Sequence, residues 1–312
     1  MALVVITGAR GFIGKHLALY LSRCGDHVVG VGHGAWVESE ALVWGVSHWI
    51  NGDIHSSNLQ SLLKCVGTPD SIFHLAGGSS VGTAISSPHE DFVRSVATTA
   101  QLLDWIRLES PATRLVAVSS AAVYGSGHLG GIAEDLAKEP FSPYGYHKLM
   151  MEQLCRSYAA TYGTRVVVAR LFSVYGSYLQ KQLLWDLCTK LAGGASTIEL
   201  GGNGEELRDW TDVRDVVRAL NLLKELASDT VPTINVGTGK STSVCEVGKI
   251  VKNAWPIVAN IVFNGKSRVG DPFSLVADNS RLRALGFEWE FPVETGVCDY
   301  VEWYLRQAST IT

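Results

Sequence analysis

A chain of 312 residues, 46% apolar and 18% charged, can bury a large core without disulfide or metal staples. Its net charge of −4 offers no general positive field to nucleic acid, and no apolar run approaches the roughly 18 residues of a membrane span. Cys24, Cys65, Cys155, Cys188, Cys245 and Cys298 lie far apart with no metal-ligand spacing to histidines, so they read as buried thiols of a reducing, cytoplasmic compartment with no metal site.

The first element is an apolar run over residues 2–7, and similar runs recur at 27–31, 71–76, 114–118 and 165–172. Each is followed by a segment with helical periodicity. That alternation predicts an α/β fold, a doubly wound parallel sheet covered on both faces. Between the first run and a helix predicted over 12–23 lies Thr7-Gly8-Ala9-Arg10-Gly11-Phe12-Ile13-Gly14. Gly8 permits a tight turn, Gly11 lets the backbone approach a pyrophosphate, and Gly14 lets the helix pack on the strand, with the helix N-terminus facing the negative charge.

In such folds an acid about 20 positions on commonly takes the ribose 2′-hydroxyl. Here the second run leads to His33, and the next acid is Glu38. With Arg10 in the turn, this leans toward NADP over NAD. Asp53, after a short apolar stretch, is a candidate for the adenine edge or else a turn aspartate. His74, inside its apolar run, reads as a core histidine.

A long helix is predicted over 88–108, with Phe92, Val96, Leu102, Leu103 and Ile106 on its apolar face. Ser120 follows the 114–118 strand and so falls at the carboxyl edge of the sheet, where α/β proteins bind ligands; its other reading is a helix cap. A third helix, 143–162, carries Tyr144 and Lys148 four apart on one face. A phenol with a pKa of about 10 is a poor base at neutral pH, and a neighbouring ammonium lowers that pKa. Beyond about residue 173 the alternation weakens, which predicts a smaller lobe, although Thr233 to Val236 reads as a strand returning to the main sheet.

Together the motifs resemble the extended short-chain dehydrogenase/reductase family, in its nucleotide-sugar epimerase and dehydratase branch. They are TGARGFIG at 7–14, GDI at 52–54, FHLAG at 73–77, SSAAVYG at 119–125, YGYHK at 144–148, RLFSVYG at 170–176, RDWTDVRD at 208–215, NVGTG at 235–239 and GDP at 270–272. The resemblance implies an NAD(P)-binding Rossmann domain over 1–172 with a returning segment near 208–239, and a mainly substrate-binding lobe over 173–312. It implies Tyr144 as general acid/base, Lys148 as its partner, and Ser120 as the hydroxyl that bonds the reacting sugar oxygen. Gly8, Arg10, Gly11, Phe12, Ile13, Gly14, His33, Asp53, Ile54, Leu75, Ala76 and Gly77 would line the cofactor with Tyr144 and Lys148. Ser79, Ser120, Ser173, Arg208 and Arg268 would contact a nucleotide-diphosphate sugar, the arginines gripping its diphosphate.

Departures from the family pattern narrow the chemistry. Ala121-Ala122 stands where the dehydratases carry an Asp-Glu pair, which argues against expulsion of water. Ser173 and Ser95 stand where asparagines are usual. The expectation is a C4 epimerase acting through a transient 4-keto intermediate; the alternatives are an NADPH-dependent 4-keto-sugar reductase and a catalytically inactive cofactor-binding or interaction protein. A cytoplasmic homodimer, built through a bundle of the 88–108 and 143–162 helices and serving polysaccharide biosynthesis, completes what the resemblance implies.

Overall fold

The computed structural model describes residues 1–257, 259–266 and 272–309. Seven strands form one sheet: β1 (Leu3–Thr7), β2 (His27–Gly32), β3 (His48–Asn51), β4 (Ser71–His74), β5 (Arg114–Ser120), β6 (Arg165–Leu171) and β7 (Thr233–Val236). Their order is β7-β6-β5-β4-β1-β2-β3, every pair parallel. The apolar runs become strands because helices cover both faces: Val4, Ile6, Val29, Ile72, Leu115 and Val167 are 0% exposed. One core cluster joins Val5, Ile72 and Leu115 to Leu59, Leu102, Ile106 and Met151 on the covering helices. The chain winds outward from β1 in both directions, so a crevice opens where β1 and β4 end, the usual place for a ligand in this architecture.

The helices that matter for the site are α1 (Phe12–Arg23), α2 (Pro88–Phe92), α3 (Thr98–Glu109) and α4 (Pro143–Tyr162). α4 is fixed at both ends: the Ser142 hydroxyl accepts from Gly145 N at 3.2 Å, Pro143 occupies the first turn, and Gly163 closes the helix in the left-handed region. The single helix expected over 88–108 is interrupted. Between α2 and α3 the backbone makes a π turn, Val93–Ala97. There the Thr98 hydroxyl donates to the Val93 carbonyl at 2.9 Å and the Thr99 hydroxyl to the Ser95 carbonyl at 2.6 Å, side-chain bonds that local periodicity does not reveal.

Two compact units result. The first comprises Met1–Gly125, Glu134–Leu171 and Val217–Val236 and holds the whole seven-stranded sheet. The second comprises Ser126–Ala133, Phe172–Val216 and the chain from Gly237 onward. It has a four-stranded sheet built from Thr242–Ser243, Leu207–Arg208, Ser274–Ala277 and Gly131–Ile132, and two parallel strand pairs. Its hub is Asp209, 0% exposed, whose carboxylate accepts from the amides of Thr238, Gly239 and Ala277 and from two threonine hydroxyls. Tryptophans 185, 255 and 303 pack with Tyr300 and Tyr304 in one aromatic cluster.

The thiols differ from expectation. Cys155 and Cys188 are buried, but Cys24 and Cys65 are exposed, and all six are free. Among the described residues no helix is long and apolar enough to cross a membrane, and no group of three or more His, Cys, Asp or Glu is arranged to hold a metal.

Candidate active site

The glycine turn has the form a dinucleotide requires. Gly8 has φ +74°, and a Cβ there would lie 3.1 Å from the Ala76 amide nitrogen at the end of β4. A Cβ on Gly14 would lie 2.7 Å from Ala9 Cα, so only glycine lets α1 sit this close to the turn. Gly11 is the N-cap of α1 and provides no side chain to bond the amides of its first turn. Those amides and the helix dipole therefore suit a pyrophosphate.

Thr7 connects this turn to β4. Its hydroxyl accepts from Ala76 N at 3.2 Å and bonds His74 Nδ1 at 2.8 Å, while His74 Nε2 bonds the Thr99 hydroxyl at 3.0 Å. His74 is a core histidine, 1% exposed, and burial holds its pKa down to about 3. Leu75, Ala76 and Gly77 thus lie at the turn, and a Cβ on Gly77 would fall 3.4 Å from Lys148 Nζ.

At the other end of the turn, the Arg10 guanidinium rests against Gly34 in the loop after β2. His33 Nε2 pairs with Asp53 Oδ1 at 2.9 Å, and both side chains are exposed. Ile54 beside them is 5% exposed. The residues expected to take the adenosine half are therefore neighbours in the structure.

Ser120, Tyr144 and Lys148 converge. Ser120 ends β5, its hydroxyl accepts from Ala122 N at 3.2 Å, and it lies close enough to the Tyr144 phenol to favour the phenolate. Lys148 Nζ lies 6.0 Å from the centre of the Tyr144 ring and is 4% exposed as a residue. Burial lowers the Lys148 pKa to about 8, with the charges of Asp91 and Glu152 opposing the shift. Part of the tyrosine reaches solvent, yet desolvation of the phenol raises its pKa; the Ser120 hydroxyl works against that rise and the Asp91 carboxylate adds to it. The phenol's pKa is thus raised by burial, not lowered as expected from a neighbouring ammonium.

A buried network holds this group in place. Ser119 donates to Glu152 Oε1 at 2.7 Å, and Arg170 binds both Glu152 oxygens, at 2.8 and 2.7 Å. Arg170 also donates to the Tyr124 hydroxyl at 2.7 Å, and Tyr124 donates to Asn235 Oδ1 at 2.7 Å. The end of β5, α4, β6 and β7 are linked in this way. Sequence reasoning missed these residues, although an arginine inside the apolar run Arg165–Leu171 is a signal, since a charge there needs a partner. It also missed Asp91 and His147, a buried pair 2.5 Å apart.

The substrate residues are more dispersed. Ser79 is exposed in the loop after β4. In the second unit, Ser173 N donates to the Asp209 carbonyl at 3.0 Å, and Arg208 donates to the carbonyls of Leu207 and Phe273. Arg268 lies outside the described residues.

A family model described as "NAD dependent epimerase/dehydratase family" matches residues 4–237. UDP-glucose 4-epimerase of Azospirillum brasilense is 28% identical over 298 residues, covering 90% of this chain and 85% of its own. Among solved structures, MoeE5 in complex with UDP-glucuronic acid and NAD is 32% identical with a TM-score of 0.85, covering 97% of this chain and 99% of its own. The UDP-glucose 4-epimerase of Thermotoga maritima, solved with UDP-glucose, is 25% identical with a TM-score of 0.89, covering 98% and 99%. MoeE5 holds NAD, which gives the lean toward NADP no support. With a parallel sheet, a dinucleotide turn and the Ser-Tyr-Lys group at its edge, the chain belongs to the NAD-dependent epimerase/dehydratase family, the extended branch of the short-chain dehydrogenases/reductases.

Proposed function

We propose that the chain is an NAD-using UDP-sugar 4-epimerase that interconverts a UDP-hexose or UDP-hexuronate with its C4 epimer through a transient 4-keto sugar. The observation that carries this reading is the convergence of Ser120, Tyr144 and Lys148 beside a glycine turn shaped for a dinucleotide. The sugar nucleotides are those with which the relatives were solved: UDP-glucuronic acid and UDP-glucose for MoeE5, UDP-glucose for the Thermotoga enzyme.

When bound, NAD supplies the acceptor and later the donor of hydride at sugar C4. Gly8, Gly11, Phe12, Ile13 and Gly14 would hold its pyrophosphate; Arg10, His33, Asp53 and Ile54 its adenosine half; Leu75, Ala76, Gly77 and Lys148 its nicotinamide half. His33 is engaged by Asp53, whose carboxylate a 2′-phosphate would meet as a like charge, so NAD is preferred to NADP.

Tyr144 takes the C4 hydroxyl proton as that carbon is oxidised and returns it when the carbon is reduced on its other face. Each cycle leaves the phenol as it began. Burial opposes the phenolate and the Ser120 hydroxyl favours it; the Lys148 ammonium, 6.0 Å from the ring centre, is assigned the same role. Ser120 also donates to the reacting sugar oxygen. Ala121 and Ala122 offer no acid or base to expel water, which leaves return to the alcohol as the outcome. Ser79, Ser173, Arg208 and Arg268 are assigned to the sugar nucleotide.

A homodimer fits the same reading, since Phe92, Val93, Tyr146 and Met150 on α2, the π turn and α4 are 38%, 44%, 50% and 45% exposed.

The test is incubation of the purified protein with UDP-glucose, UDP-glucuronic acid and further UDP-sugars, with and without NADPH, followed by NMR of the products. Epimer formed without added cofactor supports the proposal, whereas NADPH consumed by a 4-keto sugar nucleotide favours a reductase. Tyr144→Phe should lower turnover by about 10²- to 10⁴-fold while retaining bound NAD. No product from any UDP-sugar by NAD-loaded protein would remove the reading.

A further inference from the structure

Asp91 and His147 form a buried pair for which the proposed reaction has no use. Asp91 Oδ2 lies 2.5 Å from His147 Nδ1, with side chains 4% and 11% exposed. The other carboxylate oxygen, Oδ1, occupies the place that a Cβ on Gly78 would take, leaving no room there for a side chain. Gly78 N in turn donates to the Ser95 hydroxyl of the π turn at 2.9 Å. Gly77, immediately before, faces both Ser95 and Lys148 Nζ. The Phe92 ring meets the His147 imidazole edge-on, 5.6 Å between centres. His147 itself directly precedes Lys148 in α4 and follows Tyr144 by three residues. The carboxylate is therefore fixed between α2, the loop after β4 and α4, all of which bear on the proton-transfer group.

We propose that Asp91, oriented by His147, is a positioning residue whose carboxylate sets the charge balance between Lys148 and Tyr144 and so the pH range in which they work together. The inference rests on the assignment of those two residues made above.

Removing an ammonium from water is unfavourable, and a nearby carboxylate offsets part of that cost; the same carboxylate disfavours a nearby phenolate. The Asp91 carboxylate sits against Gly78 and Lys148 Nζ against the adjacent Gly77, so that charge favours the ammonium and opposes the phenolate of Tyr144. The other groups are accounted for. Glu152 is bound by Arg170, Arg156 and Ser119. His74 is held neutral between Thr7 and Thr99. Glu90 and Arg94 pair with one another on the exposed side. Asp91 alone among these carboxylates is partnered by a histidine, which is charged only when protonated.

Neutralising residue 91 should let Tyr144 lose its proton at lower pH and let Lys148 lose its own at lower pH, so the whole working range moves toward acid. A merely structural role would not produce that directed shift. The experiment follows the phenolate absorbance of the NAD-loaded protein against pH, taken as the difference from the same protein carrying Tyr144→Phe. Asp91→Asn, or the smaller Asp91→Ser if asparagine is not tolerated, should move the midpoint to lower pH. His147→Gln keeps a hydrogen-bond donor and leaves the carboxylate in place, so it should not move the midpoint that way. Both limbs of the rate profile for UDP-sugar interconversion should follow the Asp91 variants toward acid. An unmoved midpoint in a folded Asp91 variant, or an equal acid shift in His147→Gln, overturns the inference. A shifted midpoint in a protein that turns over no UDP-sugar would instead discard the proposed substrate and leave the role of Asp91 standing.

Discussion

Lys148 Nζ donates to the carbonyl oxygen of Val118 at 3.0 Å, which ties the ammonium to β5 two residues before Ser120. With its pKa brought down to about 8 by burial, Lys148 keeps its proton only up to mildly alkaline pH. Turnover should fall as pH rises through about 8. Stability should respond in the opposite sense: the folded pKa lies below the ordinary 10.5, so the folded protein binds fewer protons than the unfolded chain between about 8 and 10.5, and this group's contribution improves as pH rises through that window. Rate and denaturant midpoint measured on the same samples check both directions, and a rate independent of pH across that window would contradict the assignment.

Gly14→Ala places a methyl against the Ala9 backbone, which cannot move aside as a side chain would. Overpacking of this kind costs about 1–3 kcal/mol, and displacing α1 also misaligns its N-terminal amides. A lowered melting temperature together with loss of copurified NAD is expected; a protein that binds NAD normally would show that the helix need not lie so close.

Arg170→Met should be among the most damaging single changes in the first unit. It leaves Glu152, 0% exposed, without the fork of donors that, together with Ser119, outweighs the cost of burying its charge. Breaking a buried pair from one side typically costs about 3–5 kcal/mol. Adding Glu152→Gln should recover part of the loss, because the stranded charge is then gone. A double-mutant cycle in urea gives the answer, and simple additivity would argue against the pair acting as a unit.

His74 gives an acid-side prediction. Its folded pKa of about 3 lies below the ordinary 6.5, so stability from this group is complete above 6.5 and is lost as pH falls toward 3. His74→Gln should flatten the decline of the urea midpoint across that window relative to the unchanged protein. An identical decline in the two proteins would place the acid sensitivity elsewhere.

Much of this architecture is legible in the chain itself. The runs that became β1, β2, β4, β5 and β6 announce themselves by being apolar, short and followed by helical periodicity, and α4 is bracketed by Pro143 and Gly163. The glycines at 8, 11 and 14 carry their meaning in their spacing. What stays hidden depends on partners distant in sequence. The Asp91–His147 pair joins two helices that no local pattern relates, and Arg170 finds Glu152, Tyr124 and Glu134 on separate elements. The π turn escapes notice because Val93 to Ala97 keeps an ordinary helical pattern while threonine hydroxyls bond to its carbonyls.

β7 pairs with β6 along Val168 to Leu171, yet the chain reaches β7 only after residues 172–232 have been made. During synthesis, then, the nascent sheet has an uncovered apolar margin of the kind that recruits stray strands from other molecules. An expressed fragment cut after residue 172 would keep that margin permanently, and aggregation rather than a tidy nucleotide-binding module is the expected product.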